Sequence, residues 1–471
     1  MSAPHLRVTF LGHQGWALDA GGPMVLVDPL LCEGIGDEPE PYLELFPPRR
    51  FDEAAAPAVA GVLLTHEHPD HFHLPSLAKL PRSVPVWLSA NASSAARTAL
   101  SELGFAWTAF GPGARAGAGG VELLALRPDG RTRDDEWDVM PFVARDLEGH
   151  GAFLSTIDLS LTAGLMAEVK ALEARPGVWA VANNDMNLSA LYPGMPAGDR
   201  VPEIARAWGA QLEQLDRAWG PVQRALIYGG GFSFPGALSW LNGCAFDVPG
   251  ERLAQLLGPR FHAALPGDAV RLTSGRASAV EPCGWLAPKP VAEWPAHGVG
   301  GAAPAPVLEP AAPLSGPEWR ELEGALDGFA RALYGGPVFE RLLRLAPADV
   351  APARPEVAFV LHDGAETKVR AYDPRAARFV PSQGAPEQFA ACVEAHARTA
   401  LEALTVSRTP AYTVFGKMRF HQVSGARGLD VDMALYVYLH PLRHPDAFLA
   451  AYRRQLGQVR QQPVFRAPGA R

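Results

Sequence analysis

Cysteine is scarce: Cys32, Cys244, Cys283 and Cys392 are the only four in 471 residues, and no C-x-x-C or C-x-H pair occurs. That spacing excludes a zinc ribbon, a sequence-encoded Rieske cluster and a dense disulfide framework, and predicts reduced, structural thiols. Basic blocks are missing too. Lysine and arginine number 42 against 50 acids, a formal charge of −8, and no cluster is able to follow a phosphate backbone, so no nucleic-acid partner is expected. No uninterrupted apolar run is long enough to span a bilayer. The N-terminus enters a strand pattern (Leu6, Val8, Phe10) without a basic segment and apolar core before it. A cytoplasmic location with no membrane partner is the expectation.

What is present is an ordinary globular composition, 48% hydrophobic and 20% charged, in a chain too long for one core. Residues 1–287 alternate short strands with helices, the pattern of an α/β layered fold. Strands are predicted over Leu6–Leu11 and Met24–Val27, joined as a hairpin through Gly21-Gly22-Pro23, and then over 61–64, 84–88, 121–126, 139–144, 153–157, 178–182 and 225–228. Helices are predicted over 74–80, 92–103, 161–173 and 201–219. Residues 288–316 are rich in Pro, Ala and Gly and read as a linker. Residues 317–471 return to globular composition as an α+β domain, with helices over 319–333, 387–404 and 446–456 and strands over 357–362, 368–372 and 413–423. That order resembles sterol-carrier-type modules; a dimerisation or lid domain, and so a homo-oligomer, fits the pattern equally.

The chemistry concentrates in one loop. The apolar run Val59 to Leu64 reads as a buried strand, and the residues after it are Thr65-His66-Glu67-His68-Pro69-Asp70-His71. Three of only 14 histidines and an aspartate fall within six residues. In a tight turn off a strand, imidazoles two residues apart face one ion while the carboxylate and third imidazole turn toward a neighbouring position.

The HxHxDH signature at His66 to His71 resembles the metallo-β-lactamase superfamily, whose fold is an αββα sandwich. The resemblance implies one or two metal ions, with His66 and His68 on the first, Asp70 and His71 on the second, and an aspartate between them. Asp158, at the end of Ala152 to Ile157, takes that bridging place. Two further ligand positions depart from the pattern. After the strand ending at Leu126 no histidine follows; Asp129 stands there by position, Glu136 is a second choice, and His150 lies on the next turn. After Ala225 to Tyr228 the chain reads Gly229-Gly230-Gly231, and Asp185 at the end of another strand offers a substitute oxygen. A set of three imidazoles and two or three carboxylates favours iron, with zinc or manganese as alternatives.

Gly12-His13-Gln14-Gly15-Trp16 with Val25-Leu26-Val27-Asp28-Pro29 is similar to the opening of the phospholipase D-like and lactonase-like members. The segments 185–193, 227–235 and 265–268 are similar, in order and spacing, to the CMP-N-acetylneuraminate hydroxylase-like branch, here without its Rieske domain. The resemblance implies an iron-dependent oxygenase (monooxygenase) with an external electron donor, acting on a small molecule, nucleotide sugar, carrier-bound intermediate or peptide. Hydrolysis of an ester, lactone, amide or phosphodiester is the alternative, and a degenerate metal-containing binding protein the third. Asp70 and His13 are the candidate catalytic residues, Asp28 a candidate to orient a ligand imidazole, and His73 a surface or pocket residue. Tyr228, Phe232, Phe234 and Trp240 are candidates to line a pocket.

Overall fold

The computed structural model describes residues 5–36, 41–128, 138–149, 151–172, 175–183, 187, 199–295, 308, 311–335, 357–373, 376, 378–389, 391–405, 417–422, 431–459 and 464–469. The chain divides into two compact units. Met1–Met186, Gly198–Gly300 and Tyr452–Arg471 form the first, and Asn187–Ala197 with Gly301–Ala451 the second. Composition had carried the C-terminal domain through to residue 471; the last twenty residues group with the first unit instead. Among the described residues no helix is long and apolar enough to cross a membrane.

Two sheets face each other in the first unit. One runs in the order Arg276–Ala277, Asp268–Thr273, Leu6–Gly12, Gly15–Asp19, Met24–Val27, Val59–Leu64, Val86–Ser89, Trp107–Phe110. The other runs Arg115–Ala118, Val121–Ala125, Phe142–Asp146, Ala152–Ser155, Pro176–Asn183, Arg224–Gly229, Phe261–Ala263. Alternation decides which side chains meet between them, because successive residues of a strand point to opposite faces. Val121, Leu123 and Ala125 enter the shared core with Val8, Phe10, Trp16 and Val27, while Leu124 turns outward. Val178 and Ala180 point in, Trp179 and Val181 out. The outward set is covered by Leu165 and Val169 of helix Ala163–Ala171, Leu212 and Leu215 of Val201–Trp219, and Leu253 of Gly250–Leu257. Helices Leu74–Ala78 and Ser94–Glu102 follow the first sheet's parallel strands and bury their apolar residues likewise.

The opening hairpin differs from expectation. Leu6–Gly12 pairs with Gly15–Asp19 (Val8 with Leu18, Phe10 with Trp16), and Gly15–Asp19 pairs in turn with Met24–Val27. A strand therefore stands where a connection was read. It forms because His13 adopts a left-handed φ of 50° and closes the turn tightly enough for Trp16 to reach the core.

Several strands end at one edge. Met24–Val27 and Val59–Leu64 are parallel neighbours, as are Ala152–Ser155, Pro176–Asn183 and Arg224–Gly229. Asp28, Thr65, Asp158 and Gly229 lie at or just beyond their carboxyl ends. A backbone bridge between His13 and Gly229 joins the two sheets there.

In the second unit a five-stranded sheet runs Arg378–Ser382, Glu366–Asp373, Val357–Asp363, Ala391–His396, Arg419–Gln422. The predicted helix over 387–404 is in fact strand Ala391–His396 followed by helix Ala397–Leu404. Backbone pairing on both sides of Ala391–His396 outweighs the helix preference of its alanines. Of the strand predicted over 413–423, the described part is Arg419–Gln422.

Candidate metal centre

The loop after Val59–Leu64 is held from below by Asp28. Its carboxylate, fully buried, accepts from Thr65 N (2.8 Å), Thr65 Oγ1 (2.6 Å) and His71 Nδ1 (2.8 Å). Asp28 has φ of 43°, which a short polar side chain tolerates. The hydrogen bond from Nδ1 to Asp28 orients the His71 ring and leaves Nε2 as the atom turned toward the other carboxylates, able to offer a lone pair to a cation once it gives up its proton. That atom is buried and among the described residues meets no hydrogen-bond geometry, although Asp158 Oδ2 and Asp70 Oδ2 stand 3.2 and 3.5 Å away. The turn itself closes through His71 N and Phe72 N, which both donate to His68 O.

Asp158 arrives from the opposite sheet. Ile157 before it has φ of 55°, a costly conformation for a β-branched residue, of order 1–3 kcal/mol. Complete burial of Ile157 and a bond from Tyr228 OH to its carbonyl (3.2 Å) sustain it. Asp158 Oδ1 accepts from Gln14 Nε2 at 2.6 Å, leaving Oδ2 toward His71 and, at 3.4 Å, His66 Nε2. His66 Nε2 lies 2.9 Å from His68 Nδ1. His66, His68 and Asp158 thus bring three ligand atoms together, and His66 and His71 share a second such group with Asp28.

These separations have a physical meaning. Donor atoms about 2.1 Å from one ion are about 3.0–3.4 Å apart in octahedral or tetrahedral geometry, close to the spacing here. Two imidazole nitrogens facing at 2.9 Å, with an orphaned buried nitrogen beside two carboxylates, form a donor set suited to cations. The carboxylates favour positive charge here, whether a proton or a cation that displaces it. Burial works against ionisation of Asp158, but the adjacent His71 and His66 bring its pKa down to about 2. Burial likewise opposes protonation of His71, yet Asp70, Asp28 and Asp158 hold its pKa well above the usual value. His66 is pushed well below, first by burial and then by His71 and His68.

Six sequence candidates therefore converge: His66, His68, Asp70, His71, Asp158 and His13. His13 is fully buried, stacks on Phe232 with ring centroids 4.0 Å apart, and places Nε2 2.8 Å from Asp70 Oδ2. Among the described residues its Nδ1 has no hydrogen-bond partner. A metal-bound imidazole ordinarily donates through its other nitrogen, so His13 fits a donor to Asp70 better than a ligand. Asp129, Glu136, His150 and Asp185 lie outside the described residues. His73 does not sit at the surface: it is 3% exposed, precedes helix Leu74–Ala78, and bonds Ser76 Oγ at 2.7 Å. Tyr228 lines a cavity of about 220 Å³ with Phe46, Phe246 and Trp294. Sequence reasoning assigned no role to Gln14 or Glu67; only Gln14's place beside His13 signals its own.

Residues 7–109 match the family model of the beta-lactamase superfamily domain. The first unit has the metallo-β-lactamase fold. Solved structures similar to the metallo-β-lactamase unit include Igni18, a novel metallo hydrolase from Ignicoccus hospitalis, 15% identical over 57% of this chain and 98% of that one (TM-score 0.35). Another is the isothiocyanate hydrolase from Delia radicum gut bacteria, 12% identical over 58% and 99% (TM-score 0.38). A third is CmlA, a diiron beta-hydroxylase from Streptomyces venezuelae, 19% identical over 49% and 45% (TM-score 0.31). No curated protein matches the sequence.

Proposed function

We propose that this protein is an iron-dependent oxygenase. The observation that supports it is the donor set: three imidazoles and two carboxylates converge at the strand edge, and glycines follow Arg224–Gly229 where an imidazole would otherwise stand. An oxygen-rich set of this kind suits iron. In this reading His66, His68 and Asp158 hold one ion, and Asp70, His71 and Asp158 a second. Iron bound there supplies the activation of dioxygen: substrate C–H, O2, two electrons and two protons give C–OH and water. The electrons come from an external donor, a ferredoxin or a reductase, since this chain's cysteines build no cluster.

The protein's own groups hold and orient. Asp28 fixes the His71 tautomer, Gln14 holds the second oxygen of Asp158, and His13 donates to Asp70. Burial of His66, His71, His13 and Asp28 excludes water from beneath the site, whereas Asp70 and Asp158 are 15% and 7% exposed and face the substrate side.

A second reading, metal-assisted hydrolysis, rests on the same donor set: Asp158 Oδ2, between His66 and His71, would serve as a carboxylate shared by two ions in either chemistry. The test separates them. Reduced, iron-loaded protein given candidate substrates in an oxygen electrode consumes O2, and Asp158→Ala does not. No consumption, with anaerobic cleavage of esters by the zinc- or manganese-loaded protein, transfers the assignment to the hydrolase.

A further inference from the structure

Glu67 stands between His66 and His68, so its side chain leaves the loop on the side away from the metal ligands. It is 1% exposed. A buried carboxylate needs donors, and those of Glu67 include Ser93 N to Oε2 (2.7 Å), Ser93 Oγ to Oε1 (2.7 Å) and Tyr452 OH to Oε1 (2.9 Å). Ser93 also caps helix Ser94–Glu102. Tyr452 lies 385 positions away in sequence, and its ring packs 5.3 Å from that of Phe72, beside His71.

The residues that follow Tyr452 bracket the same loop. Arg466 O accepts from Val59 N (2.9 Å), at the start of the strand leading into the loop. Val464 N and Phe465 N donate to Lys79 O, at the end of helix Leu74–Ala78 that leads out of it. The Phe465 ring meets Phe51 at 5.5 Å. The far end of the strand before the loop, Glu67 within it, and the end of the helix after it are each tied to C-terminal residues.

Resting on the metal reading above, we propose that Tyr452 is a positioning residue for the metal loop: through Glu67 it sets the backbone that aims His66 and His68 at their ion. Without the phenol hydroxyl a buried charge loses one of its donors, and Glu67 shifts toward water, carrying His66 and His68 with it.

The test uses the full chain and Co(II) alone as the probe, in competition with a chromophoric chelator and by visible absorption. Tyr452→Phe keeps the ring against Phe72, so circular dichroism stays that of wild type. Its Co(II) affinity falls about 10-fold, the low end of the effect of losing a direct outer partner of a ligand, because the hydroxyl acts on His66 and His68 through Glu67, and its ligand-field bands move. Arg453→Ala, which removes only the exposed ion pair with Glu102 (2.7 Å), stays within twofold. If Tyr452→Phe does not fold, Glu67→Gln reads the same link and loses affinity likewise. Affinity within twofold of wild type in the folded variant overturns the proposal while the metal reading stands. Failure of the wild-type chain to bind any metal overturns both.

Discussion

Asp28→Asn isolates the device that prepares His71. Asparagine has the same shape, and it tolerates the left-handed conformation that Asp28 occupies at φ 43°. Its one carbonyl oxygen is able to keep the bond from Thr65 N, but its amide nitrogen then stands where Oδ2 accepted from His71 Nδ1 at 2.8 Å. Two donors face each other. The ring is relieved by moving its proton to Nε2, which removes the lone pair directed at Asp70 and Asp158. Loss of such an outer partner costs 10–100-fold in metal affinity, about 1.4–2.8 kcal/mol. The cost falls on the position of Asp70 and His71, whereas that of His66 and His68 keeps its donors. A titration with Fe(II) or Co(II) against a competing chelator therefore resolves two ions per wild-type chain, and in the variant one tight and one weakened. Two ions bound with unchanged affinity in the Asn variant, at unchanged circular dichroism, would refute the argument.

Two further predictions concern the scaffold. A Cβ at Gly267 (φ 91°) would lie 1.9 Å from Leu286 O, and the backbone there is pinned by bonds to Phe10 O and from Cys283 N. Gly267→Ala should cost at least about 3 kcal/mol in denaturant unfolding; a loss under about 1 kcal/mol would mean that this backbone yields. In the second unit, Glu394 accepts from His421 Nε2 (2.8 Å) and His362 Nε2 (2.9 Å). The His421 bond, with smaller help from His362 and Arg419, outweighs burial and lowers its pKa from 4.5 to about 2. A folded-state pKa below the unfolded one contributes stability that is complete above pH 4.5 and lost as pH falls toward 2. After discounting for solvent screening this is about 1–2 kcal/mol, so wild type should exceed Glu394→Gln by that margin at pH 6 and converge with it near pH 2–3. A difference independent of pH would contradict the assignment.

The convergence of His66, His68, Asp70 and His71 was legible because these side chains are dense in sequence and follow a recognisable buried strand, and that of Asp158 because it follows the end of another strand. The place of Asp28 beneath this loop was legible as well, through its position at the end of Met24–Val27. The strand Gly15–Asp19 was not, since the turn that creates it depends on a single left-handed His13. Ala391–His396 read as helix from its alanines, and only neighbouring strands on both sides make it β. His73 reads as a surface or pocket residue two positions beyond the motif, but its place at the start of helix Leu74–Ala78 buries it. No local pattern links Glu67 to Tyr452: that contact is a property of how the last residues return to the first unit.

Metal content tests the central claim most directly. Protein purified anaerobically without added metal should carry one to two irons per chain by elemental analysis, and admission of air should raise an oxo-to-iron absorption band. Stoichiometric zinc with a featureless spectrum would contradict the oxygenase and favour the hydrolase, and a chain that holds no metal would contradict both.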